Sequence, residues 1–163
     1  MMQPPSPREM FDRFVAAKGA APEGERSARA AANAALVVRY FDMWNTGEGS
    51  VADEVLGVTY LDHAHPEVLG PAALRSLVPR FRAANPDAAM AIEIAAVDDD
   101  FVAVRNAISR VVDGQRIESE GVALFRVVGG KLAEQWSCYP DAEVERSQVA
   151  PPPSREAWLS FRA

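Results

Sequence analysis

Both histidines of the chain fall in one short stretch, Tyr60-Leu61-Asp62-His63-Ala64-His65-Pro66. Imidazole is the side chain whose ordinary pKa, about 6.5, lies closest to neutral pH, so acid–base chemistry is sought here first. His65 and His63 are the leading candidates for a general base. Asp62 either orients an imidazole or acts as the base itself, and Asp42 is a weaker carboxylate because its helix turns it away from the apolar stripe. Val58-Thr59-Tyr60-Leu61 reads as a short strand that Pro66 stops. Alternation along it puts Thr59, Leu61, His63 and His65 on one face and Val58, Tyr60 and Asp62 on the other. The turn breaks that alternation, so a common direction for the two imidazoles does not follow. The pair either caps a turn or lines a pocket.

A base needs a donor opposite it and a wall around it. Asn106 shares a strand face with Val102, Val104, Ile108 and Arg110, and a polar group among apolar neighbours needs a partner or a ligand. Asn106 and Arg110 are therefore candidate donors to a carbonyl or enolate. The competing reading puts the arginines in ion pairs on the outer sheet face, where Glu118 and Glu120 also belong. Tyr40, Trp44, Tyr60, Phe81, Phe125 and Trp136 are candidate wall residues or plain core, and Glu134 shares its face with Leu132, Trp136 and Cys138. Cys138 is the single cysteine; with no histidine near it in sequence it reads as packing rather than a nucleophile.

The elements that must position these groups follow from periodicity. Leu36, Val37, Tyr40, Phe41 and Trp44 recur at helical spacing and predict a helix over 28–45, ended at Gly47. Ser50 is the expected N-cap of a short helix over 51–56. A third helix is expected over 72–84 with Leu74, Leu77, Val78 and Phe81 on its apolar side, kinked or interrupted at Pro79. From Ala88 the period changes to 2. Strands over 90–97, 101–112, 117–128 and 132–139, joined by hairpin-length connectors, predict an antiparallel meander and hence an α+β fold with helices on one face of a curved sheet.

The totals bound the class of protein. A chain of 163 residues with 48% hydrophobic content fits one domain with a sizeable core. Residues 1–28 read as an N-terminal extension, with an amphipathic piece from Pro7 to Ala17 and a linker from Lys18 to Ser27. The domain proper spans 29–140. Residues 141–163 form a tail whose Trp158, Leu159 and Phe161 are expected to dock on the domain or on a partner subunit. A net charge of -6 with dispersed arginines excludes the basic stripe that nucleic acid requires. One cysteine, no apolar run of signal-peptide length in Met1 to Pro7 and no stretch of about 20 apolar residues imply no membrane partner and a cytoplasmic protein.

Four motifs in order, Tyr40-Phe41-Asp42-Met43-Trp44-Asn45-Thr46-Gly47, Tyr60-Leu61-Asp62-His63, Gly121-Val122-Ala123-Leu124-Phe125-Arg126-Val127 and Gly130-Lys131-Leu132-Ala133-Glu134-Gln135-Trp136, resemble the SnoaL-like polyketide cyclases of the nuclear transport factor 2-like superfamily. The resemblance covers about residues 34 to 140. It implies a cone-shaped α+β barrel whose curved antiparallel sheet wraps three N-terminal helices around one internal pocket, in a homodimer built on the outer sheet face. It also implies cofactor-free chemistry with no metal: an intramolecular aldol closure or water loss in a polyketide-like small molecule, by general acid–base catalysis. Isomerisation and epoxide opening are the alternatives within the fold, and a non-catalytic binding or scaffold role is the alternative outside catalysis. This chain departs from the cyclase pattern at Ala123, where a carboxylate is common, and at Val112, where several members carry histidine.

Overall fold

The change of period near Ala88 marks where the four-stranded meander begins in the computed structural model, which describes residues 23–139. The chain runs α1 (Glu23–Thr46), α2 (Val51–Val55), β1 (Leu56–Asp62), α3 (Gly70–Ala84), β2 (Ala89–Val97), β3 (Phe101–Val112), β4 (Gln115–Val128) and β5 (Lys131–Cys138). The strands form one sheet in the order β1-β5-β4-β3-β2. The meander is antiparallel as its short connectors require, and β1 joins its far edge parallel to β5. The sheet does not close, since β1 and β2 stand at its two edges. Register irregularities in the β1–β5, β2–β3 and β4–β5 pairs are the places where a sheet bends.

Helix α1 supplies the largest part of the core. Val37, Tyr40, Phe41 and Met43 are buried along one side of it, and the Phe125 ring on β4 packs edge-on to Tyr40 and Phe41 at centroid distances of 5.3 and 6.2 Å. Leu74 and Val78 bring α3 onto the same core, which Val102, Val104, Ala123 and Leu132 complete from the inner sheet face. Two asparagines tie α1 to the sheet. Asn33 donates from Nδ2 to the carbonyls of Asp98 and Asp99, both at 2.9 Å. Asn45 pairs with Met90 in both directions, donating to its carbonyl at 2.9 Å and accepting its N–H at 2.7 Å. That side chain satisfies backbone groups which the edge strand β2 would otherwise expose.

Several local expectations are corrected. Residues 23–27 are the first turns of α1 rather than linker. Ser50 has helical dihedrals and makes no side-chain cap bond, so α2 begins without the expected cap; its N-terminal turn is bonded through backbone carbonyls of Glu48, Gly49 and Ser50 instead. Pro79 lies inside α3, which runs unbroken through it. Gly47, at φ 79°, closes α1 by donating its N–H to Met43 at 2.9 Å, the left-handed cap that only glycine adopts without strain. The piece over 7–17 and the tail over 141–163 lie outside the described residues.

Candidate active site

A cavity of about 400 Å³ lies between α1, α3 and the inner face of the sheet. Trp44, Leu77, Phe81, Met90 and Ile108 give it an apolar wall, and the Trp44 and Phe81 rings meet edge-on at 5.3 Å. Its polar groups are Asp62, His65, Glu67, Gln135, Ser137 and the hydroxyls of Tyr40 and Tyr139. An apolar chamber with a few converging polar groups is the usual form of a small-molecule site.

The placement of Asp62 and His65 follows from the end of β1. Alternation turns Tyr60 and Asp62 inward, where both are buried, and His63 outward. The chain then winds into a turn in which the His65 N–H donates to the Asp62 carbonyl at 3.2 Å and the Val68 N–H to the His65 carbonyl at 2.8 Å. The turn brings His65 back over Asp62. Oδ2 of Asp62 lies 3.1 Å from Nδ1 of His65, and Oδ1 accepts the Ala64 N–H at 2.9 Å. A carboxylate at Nδ1 fixes the tautomer whose Nε2 carries a lone pair. Nε2 of His65 makes no hydrogen bond among the described residues. The imidazole is more than half exposed while its carboxylate partner is buried, so the dyad stands at the mouth of the cavity with its anchor inside.

Behind the dyad lies a cluster of phenols. The Tyr60 hydroxyl donates to Oε1 of Gln135 at 2.7 Å, the Tyr40 and Tyr60 hydroxyls are neighbours, and Tyr139 accepts a hydrogen bond from Nδ2 of Asn106 at 2.9 Å. Burial pushes the Tyr40 phenol up to about 12, with the Asp62 charge adding to the rise. Tyr60 is raised further, by burial first and then by Tyr40, and Tyr139 is raised by burial against the opposing Asn106 bond. All three phenols are therefore neutral donors at any ordinary working pH.

The remaining sequence candidates divide between core and outer face. Tyr60 and Phe125 are fully buried core residues, and neither is a lining residue. Asn106 is fully buried on the inner face as its strand parity requires, and its Oδ1 has no hydrogen-bond partner. His63, Glu134 and Trp136, expected at the pocket, are corrected to the outer face. There Nε2 of His63 lies 2.8 Å from Glu134, the His63 ring stacks on Trp136 at 4.4 Å, and Arg126 donates from Nε to Glu134 at 2.7 Å. Glu134 is held below its ordinary value, first by the His63 bond and then by Arg126. Arg110 is also corrected: it is exposed near the end of β3 and is not a lining residue. Asp42 and Glu118 are exposed, and Glu120 pairs with Arg105 on the outside. Ala123 is buried in the core.

Gln135, Ser137 and Tyr139 were not anticipated as lining residues. Sequence alternation groups Leu132 with Glu134 and Trp136, but the pairing places Val127 opposite Leu132 and Arg126 opposite Glu134. Ala133 is the extra residue of a bulge. From there the parity of β5 inverts, so Gln135 and Ser137 face inward with Leu132. Nothing in the local residues except the small side chain of Ala133 signals that inversion.

Among the described residues, no group of three or more His, Cys, Asp or Glu converges as metal ligands do, and no helix is long and apolar enough to cross a membrane. The sequence profile of the SnoaL-like polyketide cyclases matches residues 34–148, more than half of the chain, and the protein belongs to that family. No curated protein matches it in sequence. Solved structures match in fold. TsrD from Streptomyces laurentii is 18% identical with a TM-score of 0.61, covering 71% of this chain and 93% of its own. A SnoaL-like polyketide cyclase from Agrobacterium tumefaciens is 17% identical with a TM-score of 0.57, covering 68% and 93%. A Catenulispora acidiphila protein with a ketosteroid isomerase-like fold, solved in complex with trimethylamine, is 16% identical with a TM-score of 0.58, covering 71% and 93%.

Proposed function

We propose that the cavity is the active site of a cofactor-independent polyketide cyclase or cyclase–dehydratase, with His65 as general base and Asp62 as the group that orients it. The observation that carries the reading is the Asp62–His65 hydrogen bond at the mouth of an apolar cavity. It supplies a base without the carboxylate that is replaced here by Ala123. Neutral Nε2 takes a proton alpha to a carbonyl, the enolate carbon attacks a second carbonyl held by the aromatic wall, and the imidazolium returns the proton to the new alkoxide. Positioning in such a chamber is worth roughly 7 to 11 kcal/mol in favourable cases, and a positioned base adds about 10²–10⁴-fold.

The test is product analysis by mass spectrometry on a panel of reactive poly-β-ketones and hydroxyl-bearing aromatic precursors. Acceleration of ring closure or water loss, reduced about a hundredfold by His65→Ala, is the expected result. Turnover that is indifferent to His65 rejects the base assignment. One observation favours a second reading: Glu67 lines the same mouth as Asp62, and epoxide opening or isomerisation uses a pair of carboxylates. Epoxide or double-bond substrates in the same panel separate the two. Binding without turnover assigns the protein to the non-catalytic members of the fold. The same reading places the protein in the cytoplasm as a homodimer joined through the outer sheet face, where Ile94, Val122, Leu124 and Trp136 are exposed.

A further inference from the structure

Tyr139 follows directly on β5 and occupies a seat built by two residues that face each other across the sheet. Asn106 on β3 and Gly121 on β4 are register partners. A Cβ at Gly121 would come within 2.3 Å of Cδ1 and 2.5 Å of Cε1 of the Tyr139 ring, so the ring lies on bare backbone and no side chain fits beneath it. Asn106, fully buried, donates from Nδ2 to the Tyr139 oxygen at 2.9 Å. With that oxygen accepting from the amide, the phenol's own proton has no acceptor among the described residues. Tyr139 lines the cavity that also holds Asp62 and His65. Its phenol is thus a donor on the wall of a chamber that also holds the candidate base. Burial keeps the phenol protonated, and a hydrogen bond received at oxygen makes an O–H a stronger donor.

We propose that Tyr139 donates the hydrogen bond that holds the enolate oxygen of the substrate, with Asn106 and Gly121 as its positioning residues, so that the site selects carbonyl compounds able to form an enolate. The proposal rests on the reading of the cavity as a cyclase site. When Nε2 of His65 removes the alpha proton, the C–H electron pair becomes the carbon–carbon double bond of the enolate and the carbonyl π pair moves to oxygen. That oxygen accepts from Tyr139, whose proton is shared and not transferred. Attack of the enolate carbon on the second carbonyl forms the new carbon–carbon bond and returns the first oxygen to a carbonyl, while the imidazolium proton goes to the new alkoxide. Atoms and charge balance with no co-reactant. A donor preorganised in a water-poor site acts on charge as it develops, which is where such groups contribute most.

The experiment separates this from the cyclase reading by measuring charge recognition without turnover. The probe is 4-nitrophenol, whose phenolate mimics an enolate and reports its own ionisation by absorbance, with nitrobenzene as the neutral comparison. The folded wild type is expected to bind the phenolate at least about tenfold more tightly than nitrobenzene, the scale of a hydrogen bond to a charged acceptor, and Tyr139→Phe to erase that preference while leaving nitrobenzene affinity within about twofold. Asn106→Asp is expected to act like Tyr139→Phe, because a carboxylate there captures the phenol proton. Circular dichroism and a melting curve establish that each variant folds. No phenolate preference in the wild type, or a preference that survives Tyr139→Phe, overturns the proposal. In the parallel cyclisation assay, absent turnover together with a Tyr139-dependent preference rejects the cyclase reading and leaves the donor standing. Turnover that needs His65 but tolerates Tyr139→Phe does the reverse.

Discussion

Nδ1 of His65 lies 3.1 Å from Oδ2 of Asp62, whereas Nε2 of His63, two residues earlier, lies 2.8 Å from Glu134 on the opposite face of the sheet. The two imidazoles are close in sequence and divided by the sheet in space. His65→Ala is therefore expected to lower turnover about a hundredfold, and His63→Ala to leave it within about twofold. Asp62→Asn keeps an acceptor for the Ala64 N–H but weakens the hold on the imidazole. A loss of about tenfold or more is expected, in kcat more than in KM, and the double variant His65→Ala with Asp62→Asn is expected to be no slower than His65→Ala alone, since groups that act as a unit are not additive. Steady-state kinetics on the four variants decides it. Equal losses for the two histidine variants contradict the division.

The three tyrosines of the chain are Tyr40, Tyr60 and Tyr139, and all three are raised above the ordinary phenol value, chiefly by burial. The unfolded chain ionises its phenols near pH 10 while the folded protein keeps them neutral; for Tyr40 the folded value is about 12. Stability from this source is complete below pH 10 and falls as pH rises toward the folded value, because the unfolded state then binds fewer protons. Phenolate absorbance is expected to stay flat through pH 10 and then to rise together with loss of the far-ultraviolet helix signal. A rise near pH 10 with the fold intact would place at least one phenol in water.

Glu134 works in the opposite sense. Its carboxylate is held below about 4.5 by His63 and Arg126, so its contribution is present above the unfolded value and is lost as pH falls through the folded one. The group is partly exposed, which limits that contribution to the range of surface pairs, about 0–1 kcal/mol. Glu134→Gln is expected to lower the urea midpoint slightly at pH 6, and the gap to the wild type is expected to shrink as pH falls below the ordinary carboxylate range and through the depressed folded value. A gap that persists in acid shows that the loss does not come from the charge of Glu134.

Much of this arrangement is legible in the residues, and the limits have physical causes. Period-2 reading places Tyr60 and Asp62 on one face and His63 on the other, because a strand fixes side-chain direction without help from the rest of the chain. It does not place His65, which returns inward through a turn set by backbone bonds at Asp62 and Val68. It misplaces Glu134 and Trp136, because one extra residue at Ala133 inverts every later side chain of β5. Arg110 shows that correct parity is not enough. It keeps the inner-face parity of Asn106 but stands opposite Ile117, past the covered part of the sheet. Gly121 reads locally as one more strand residue, and its purpose is visible only once the Tyr139 ring is found on it.

The outer face carries the last expectation. Leu124 lies beside Trp136 across β4 and β5 and beside Ala103 across β3 and β4, with Ile94 62% and Val122 56% exposed nearby. One margin of this stripe is closed by Arg105 between Glu93 and Glu120, the other by Arg126, Glu134 and His63. An apolar centre with a paired-charge rim is the anatomy of a protein interface, and self-association buries it without a second gene product. Sedimentation velocity is expected to give twice the chain mass of 17.7 kDa for the wild type and a single chain for Leu124→Glu. The substitution puts two like charges into the centre of a two-fold contact, a penalty of several kcal/mol, while leaving the inner cavity untouched. If the variant becomes monomeric and keeps its ligand affinity, the outer face is the dimer contact and each cavity is complete within one chain. A wild type that sediments as one chain rejects the dimer.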